Sequence, residues 1–164
     1  MIVFYSLIGL FLAAHIPMIV GIRPAFLRTE RDRVRLALSI WFVLAGILHF
    51  TATQTELLMM PPILPFKVAL MYISGVAEIA GGIGLMVPRW QRPAAFGLVF
   101  LLLAVFPANI NAAINDIQGP GLINDRVLQW VRLPLQFVLI GIIVWASQQT
   151  SVPKAVTQEK AVAQ

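Results

Sequence analysis

The sequence predicts an all-α membrane protein, a helical bundle that crosses the bilayer several times. Hydrophobic residues make up 59% of its 164 residues and charged residues 12%, whereas about a quarter of a soluble domain is charged. The apolar residues are collected in runs of about 20, the length that a helix needs to cross the hydrocarbon core. Alternating segments of about ten residues, typical of a membrane β-barrel, do not occur in the sequence.

Five apolar runs reach this length, and we expect each of them to form one transmembrane helix. The predicted spans are 1–22, 34–53, 66–87, 93–114 and 127–147. The first run lacks the positive charges that begin a secretory signal, so we interpret it as a retained span. The polar segment 151–164 is predicted to be a disordered cytoplasmic tail.

Proline and glycine residues mark the ends of the later spans. Three prolines precede the third span, and Pro88 follows it directly, where the chain cannot continue as a helix. Pro93 opens the fourth span, a position at which its missing N–H costs no helical hydrogen bond. A Gly-Pro-Gly turn at 119–121 separates the fourth span from the fifth.

The basic residues are distributed unevenly between the connections. Most Lys and Arg residues lie in the first connection, in the third and in the tail: Arg23, Arg28, Arg31, Arg33, Arg35, Arg89, Arg92, Lys154 and Lys160. Short cytoplasmic loops carry such an excess, so we expect a multi-pass protein of the plasma membrane (inner membrane in a bacterium) with its N-terminus outside and its C-terminus in the cytoplasm. Contact with anionic lipid headgroups is a second use of these charges. The net charge of +5 therefore indicates topology, and no nucleic-acid partner is predicted.

Composition excludes several kinds of functional site. The chain has no cysteine, which excludes disulfides, iron–sulfur clusters and thiol chemistry. The two histidines, His15 and His49, are too few for most metal or haem sites, so we predict no metal site and no built-in cofactor. No nucleophile elbow, phosphate-binding loop or dinucleotide-binding fingerprint occurs.

Glu78 is the first candidate for a functional residue, because it lies near the middle of the third span. An ionised carboxylate in hydrocarbon costs several kcal/mol unless it has a partner. Its neighbours one helical turn away are all small: Ser74, Gly75, Gly81 and Gly82. Small faces let helices approach closely, so we expect Glu78 to point into the bundle, with Arg132 of the fifth span as a partner for its charge.

Further polar residues are expected at similar depths in the other spans. A rise of about 1.5 Å per residue places five polar residues from four spans in one outer-to-middle layer of the membrane. We predict that these residues form a ligand-binding pocket: His49, Glu78, Asn109, Arg132 and Gln136.

Two features of the last spans support this interpretation. Gln129, Arg132 and Gln136 form a polar stripe on one side of the fifth helix, which we expect to face protein. Pro107 and Pro134 deprive the carbonyls four residues before them, those of Leu103 and Trp130, of their helical donors.

Each candidate also has a purely structural interpretation. Glu78 and Arg132 are candidates for an ion pair that only fixes the helix register, and His49 for a hydrogen-bonded packing residue. Asn109 is a candidate for a simple interhelical hydrogen bond. A metal site built from these residues has no recognised ligand spacing.

Four segments of the chain resemble the DoxX-like membrane proteins, in the family's order: Ala45–Phe50, Tyr72–Pro88, Val105–Ile110 and Arg132–Gln136. The resemblance covers about Arg35 to Ala146, four of the predicted spans. It implies a four-helix bundle, so the span before Arg23 is a departure from the family and is interpreted as an additional N-terminal helix. The resemblance also implies that His49, Glu78, Asn109 and Arg132 contact a quinone or another amphipathic small molecule.

Two functions follow from these observations and stay open on the sequence alone. In the first, the protein is a quinone-associated subunit of a redox system, and a redox partner protein supplies the electrons. His49 and Arg132 then bind the two quinone carbonyls, and Glu78 exchanges a proton. In the second, it is a non-catalytic membrane protein that holds a lipid-like ligand or assembles with a partner. Whether it is an enzyme is left open, and the lipid bilayer is the one partner common to both functions.

Overall fold

The computed structural model describes residues Gly9, 11–13, Leu27, 29–117 and 126–148. Five helices have both ends described: α1 (Glu30–Thr51), α2 (Thr53–Met59), α3 (Lys67–Met86), α4 (Gln91–Ile114) and α5 (Arg126–Ser147). Because these segments are helical and contain no strand, the predicted all-α fold class is confirmed. Four helices are long and apolar enough to cross a membrane, namely α1, α3, α4 and, within α5, Gln129–Ser147. The chain is therefore a multi-pass membrane protein.

Two predicted segments fall largely outside the described residues. Of the first predicted span, 1–22, only Gly9 and residues 11–13 are described, and they are helical. The predicted tail, 151–164, lies wholly outside the described residues.

The second predicted span begins earlier than expected, at Glu30 rather than at Val34. Thr29 and Asp32 form a reciprocal capping box, in which the Thr29 N–H donates to Asp32 Oδ2 at 2.8 Å and the Asp32 N–H donates to Thr29 Oγ1 at 3.2 Å. These bonds satisfy N–H groups that have no partner within the first helical turn. The helix therefore includes arginines that the sequence placed in the preceding loop.

The boundaries of the later helices follow the prolines closely. The third span is α3, which ends at Met86, two residues before Pro88. The fourth is α4, which begins at Gln91 and continues through Pro107. At its end Asp116 adopts a left-handed conformation with φ 53°, and the Ile117 N–H donates to the carbonyl of Ala112 at 2.9 Å. This six-residue closure is the Schellman-type end of a helix.

The four long helices form a ring in the order α1, α3, α4, α5. Helix α1 packs against α3 and α5, and α4 packs against the same two helices. Helices α3 and α5 therefore lie diagonally across the bundle. The short helix α2 contacts α1, α3 and α4 at the end of the bundle where α1 ends and α3 begins. We call this end the α2 end.

The tightly packed apolar core occupies the opposite half of the bundle. Its largest fully buried members come from all four long helices: Leu38, Phe42, Leu85, Leu98 and Ile143. These residues lie towards the beginning of α1 and α4 and the end of α3 and α5. The α2 end has fewer buried apolar residues among those described, and Met71 is the largest of them that is fully buried.

The arginines that begin α1 have a structural role as well as the topological one expected from the sequence. Arg35 is only 8% exposed, and its guanidinium donates to the Ala146 carbonyl at 3.0 Å and to Gln91 Oε1 at 3.3 Å. It also pairs with Asp32. Arg31 donates to the carbonyl of Gln148 at 3.0 Å. These bonds tie the first turns of α1 to the start of α4 and the end of α5.

Candidate functional site

A close approach of two helix backbones creates the site. A methyl group added to Gly46 of α1 would lie 2.6 Å from the carbonyl oxygen of Gly75 on α3. A methyl group added to Gly75 would lie 2.8 Å from the Cβ of His49. Only glycine permits this separation without a shift of the backbone. The approach places the side chains that follow these glycines, His49 on α1 and Glu78 on α3, against each other.

His49 lies between two carboxylates. Its Nε2 atom is 3.5 Å from Glu78 Oε2, and its Nδ1 atom contacts Glu56 Oε2. The exposed fractions of the three side chains are 18% for His49, 12% for Glu78 and 15% for Glu56. We call His49, Glu56 and Glu78 the acid–histidine cluster. It joins α1, α2 and α3 at the α2 end of the bundle.

Glu56 is a site residue that the sequence did not identify, because it fell in the second connection. The structure instead forms the short helix α2 there and directs Glu56 back towards His49. Asn111 of α4 holds this helix, since its Nδ2 donates to the carbonyl of Met59 at 2.9 Å. Asn115 in turn donates to Asn111 Oδ1 at 2.9 Å. No periodic pattern marks this helix in the sequence, because its 7 residues are too few to show one.

The expected ion pair between Glu78 and Arg132 does not form, and this prediction is corrected. The base beside Glu78 is His49, and no ion pair within 4.0 Å joins Glu78 to Arg132. The reason is the order of the helices, since α3 and α5 lie on a diagonal of the ring. Among the described residues, the carboxylate whose charge acts on Arg132 is that of Glu56.

The three residues of the polar stripe on α5 differ in how deeply they are buried. Gln129 and Gln136 are 7% and 6% exposed, as expected for a stripe that faces protein. Arg132 between them is exposed, and within the described residues it makes no hydrogen bond or ion pair. The Gln129 Nε2 donates to the Ile117 carbonyl at 2.7 Å, which connects the start of α5 to the end of α4.

A second polar group joins α4 and α5. Asn109 Nδ2 donates to Gln136 Oε1 at 2.7 Å, and Gln136 Nε2 donates to the carbonyl of Leu102 at 2.5 Å. Proline at position 107 was expected to free the carbonyl of Leu103. The acceptor that Gln136 uses is the carbonyl one residue earlier, that of Leu102. Both ends of the Gln136 amide are therefore engaged inside the protein.

The predicted site residues thus fall into three places. The structure brings His49 and Glu78 together, brings Asn109 and Gln136 together, and leaves Arg132 exposed on α5. The first group contains an imidazole and two carboxylates in contact, which is able to take up, hold and release protons. No set of three or more His, Cys, Asp or Glu side chains in the described segments is arranged to hold a metal ion.

Comparison with known proteins places the chain in a family without assigning a function. Neither a curated protein nor a solved structure matches it. Residues 38–150 match the family described as Domain of unknown function (DUF8561). This range contains the acid–histidine cluster, the Asn109–Gln136 pair and Arg132, and it covers more than half of the chain. The chain belongs to the DUF8561 family.

Proposed function

We propose that the protein binds the polar head of a small amphipathic molecule at the α2 end of the bundle, and that this molecule is a quinone. One observation carries the proposal. Two carboxylates, Glu56 and Glu78, share a single histidine, while the guanidinium of Arg132 near Glu56 has no bonded partner in the described residues. Donors without partners and an excess of acids at one place favour a ligand that accepts hydrogen bonds and exchanges protons.

Arg132 is the proposed anchor for the ligand. A guanidinium carries five N–H donors and no acceptor, and it stays charged in proteins. On a membrane helix such a group needs an acceptor, because an unsatisfied charge in hydrocarbon is costly. The carbonyl oxygen of a quinone head supplies that acceptor, while the isoprenoid or alkyl tail lies along the exposed apolar surface of α5, which includes Trp130, Val131 and Phe137.

The acid–histidine cluster gives the proposal its chemistry. Reduction of a quinone to a quinol takes up two electrons and two protons, and the cluster lies at a depth where a proton source is otherwise scarce. We assign the electrons to a redox partner protein, so the chain acts as a quinone-associated subunit. The resemblance of the His49, Glu78, Asn109 and Arg132 segments to DoxX-like proteins is the second support for this choice of ligand.

The proposal is tested by titrating a short-chain benzoquinone into the protein in lipid nanodiscs. We expect Arg132→Gln to weaken binding at least tenfold, since a hydrogen bond to a charged group contributes about 1.5–3 kcal/mol. Arg92→Gln is the matched control, because Arg92 is exposed at the opposite end of the bundle. Equal affinity in the wild type, Arg132→Gln and Glu78→Gln would refute the proposed site.

A non-catalytic assembly protein is the second candidate, and one observation favours it. The Gln136 amide is hydrogen-bonded at both ends, to Asn109 and to the Leu102 carbonyl, and both ring nitrogens of His49 lie against carboxylates. Such contacts between helices are suited to holding them in one arrangement for a partner. A large loss of thermal stability in Glu78→Gln and His49→Gln, with no quinone effect on the stability of the wild type, would favour this function.

A further inference from the structure

We infer that Glu56, His49 and Glu78 form a proton relay from the α2 end of the bundle to the interior of α3. The relay rests on the proposed function for its purpose, because a quinone site needs protons. Its chemistry is independent of any quinone and can be measured without one. Glu56 is its entry residue, a role that nothing in the sequence suggested.

The geometry of His49 supports the relay. Each ring nitrogen faces a different carboxylate, with Nδ1 against Glu56 and Nε2 at 3.5 Å from Glu78. The three atoms His49 Nδ1, Glu56 Oε2 and Glu78 Oε2 each expose less than 1 Å². Bulk water therefore does not reach these atoms directly in the described arrangement, and the imidazole is the connecting group between the two acids.

The transfer conserves protons at each step. The O–H bond of protonated Glu56 breaks as an N–H bond forms at Nδ1 of His49. The N–H bond at Nε2 then breaks as an O–H bond forms on the Glu78 carboxylate. A rotation of the ring then turns its N–H towards Glu78 and its bare nitrogen towards Glu56. This resets the ring for the next proton, because a neutral imidazole donates at one nitrogen and accepts at the other.

The positions of the two acids give the relay its direction. Glu56 lies on α2, outside the long helices, and keeps 15% of its side chain exposed. Glu78 lies about 16 Å along α3 from Lys67, at a rise of about 1.5 Å per residue. The relay therefore connects the end of the bundle with a depth near the middle of a membrane-spanning helix.

The surroundings hold the entry residue in place. Asn111 of α4 binds the Met59 carbonyl and so keeps α2 against the bundle. Arg132 of α5 supplies a positive charge that acts on Glu56.

The first experiment measures proton arrival at Glu78 in the full chain in nanodiscs. After a rapid acid jump, infrared spectroscopy follows the carboxyl C=O band that is lost in Glu78→Gln. We expect Glu56→Gln to slow the rise of this band at least about tenfold, since a positioned acid–base group contributes this much or more to proton transfer. Asp116→Asn is the control, a carboxylate at the same end of the bundle but outside the relay, and it should leave the rate unchanged.

The second experiment uses chemical rescue, which a purely structural role of His49 would not show. In the His49→Ala variant, Glu78 should become protonated slowly after the acid jump. Added imidazole should restore most of the rate of this protonation. His49→Gln fills the site with a side chain that does not titrate and should stay slow with or without imidazole. Wild-type rates in Glu56→Gln, or in either folded His49 variant without imidazole, would overturn the relay.

The two proposals fail in different ways. Suppose that Glu78 is protonated as fast in Glu56→Gln as in the wild type, while Arg132→Gln still binds the quinone more weakly. Then the relay is wrong and the ligand site stands. If Glu56→Gln is slow but no variant changes quinone affinity, the relay stands and the quinone is wrong.

Discussion

The Nε2 atom of His49 lies 3.5 Å from Oε2 of Glu78, across the interface between α1 and α3. This contact depends on the glycines beneath it, because Gly46 and Gly75 let the two backbones approach more closely than any side chain would allow. Phe50 and Tyr72 stack beside it with ring centroids 5.3 Å apart. The polar contact and the small residues are therefore parts of one helix interface.

Gly46→Ala should destabilise the protein and disturb the cluster. Its new methyl group would lie 2.6 Å from the Gly75 carbonyl oxygen, so the helices must separate. Overpacking of this kind typically costs about 1–3 kcal/mol. Reversible unfolding in mixed micelles measures the loss. Gly141→Ala is the control, since its methyl group would have nothing within 4 Å, and there alanine's better helix propensity should leave stability equal or higher. Equal stability of both variants would contradict the close approach.

Arg35→Gln should be more damaging than a change at an exposed arginine. Its guanidinium binds the Ala146 carbonyl and Gln91 while it is 8% exposed, so shortening it leaves buried acceptors without a donor. The expected loss is about 1–3 kcal/mol in the free energy of unfolding. Arg92→Gln, at an exposed position, should change stability by less than about 0.5 kcal/mol. Similar losses for the two variants would show that these arginines act through net charge alone.

The helix boundaries were largely predictable from the sequence, and the reason is proline. Pro88 and Pro93 bracket a short turn, and the helices on both sides end and begin within two residues of the expected positions. The predicted start of α1 is four residues too late, because the Thr29–Asp32 capping box begins the helix inside the arginine-rich connection.

The site was less predictable than the helices. Helical periodicity indicates how deep a residue lies in the membrane and on which side of its helix, but not the order of the helices around the ring. The sequence predicts compatible depths for Glu78 and Arg132, but their helices lie diagonally opposite each other in the ring and are not neighbours. Glu56 was missed for a different reason. It lies in a helix of 7 residues, too short for a periodic pattern to stand out from a loop.

Asn109 and Gln136 should show an energetic coupling in a double-mutant cycle. Their side chains share a hydrogen bond of 2.7 Å between α4 and α5. Hydrogen bonds between membrane helices contribute about 0.6 kcal/mol on average, with a maximum near 1.7 kcal/mol. We expect a coupling within this range for the two alanine variants, because each of them removes one partner of the same interhelical bond. A cycle of Asn109→Ala with Gly141→Ala, whose added methyl group would have nothing within 4 Å, should give additive effects on stability.

Asn111→Ala should release α2 from the bundle without unfolding the long helices. The Asn111 side chain donates to the Met59 carbonyl, and α2 is too short to be stable as an isolated helix. Hydrogen–deuterium exchange should therefore rise in peptides covering 53–60 and stay unchanged in those covering 91–105. Gln54→Ala is the matched control, because Gln54 is exposed on the same short helix. If α2 exchanges equally slowly in both variants, Asn111 is not what holds it, and Glu56 reaches His49 through other contacts.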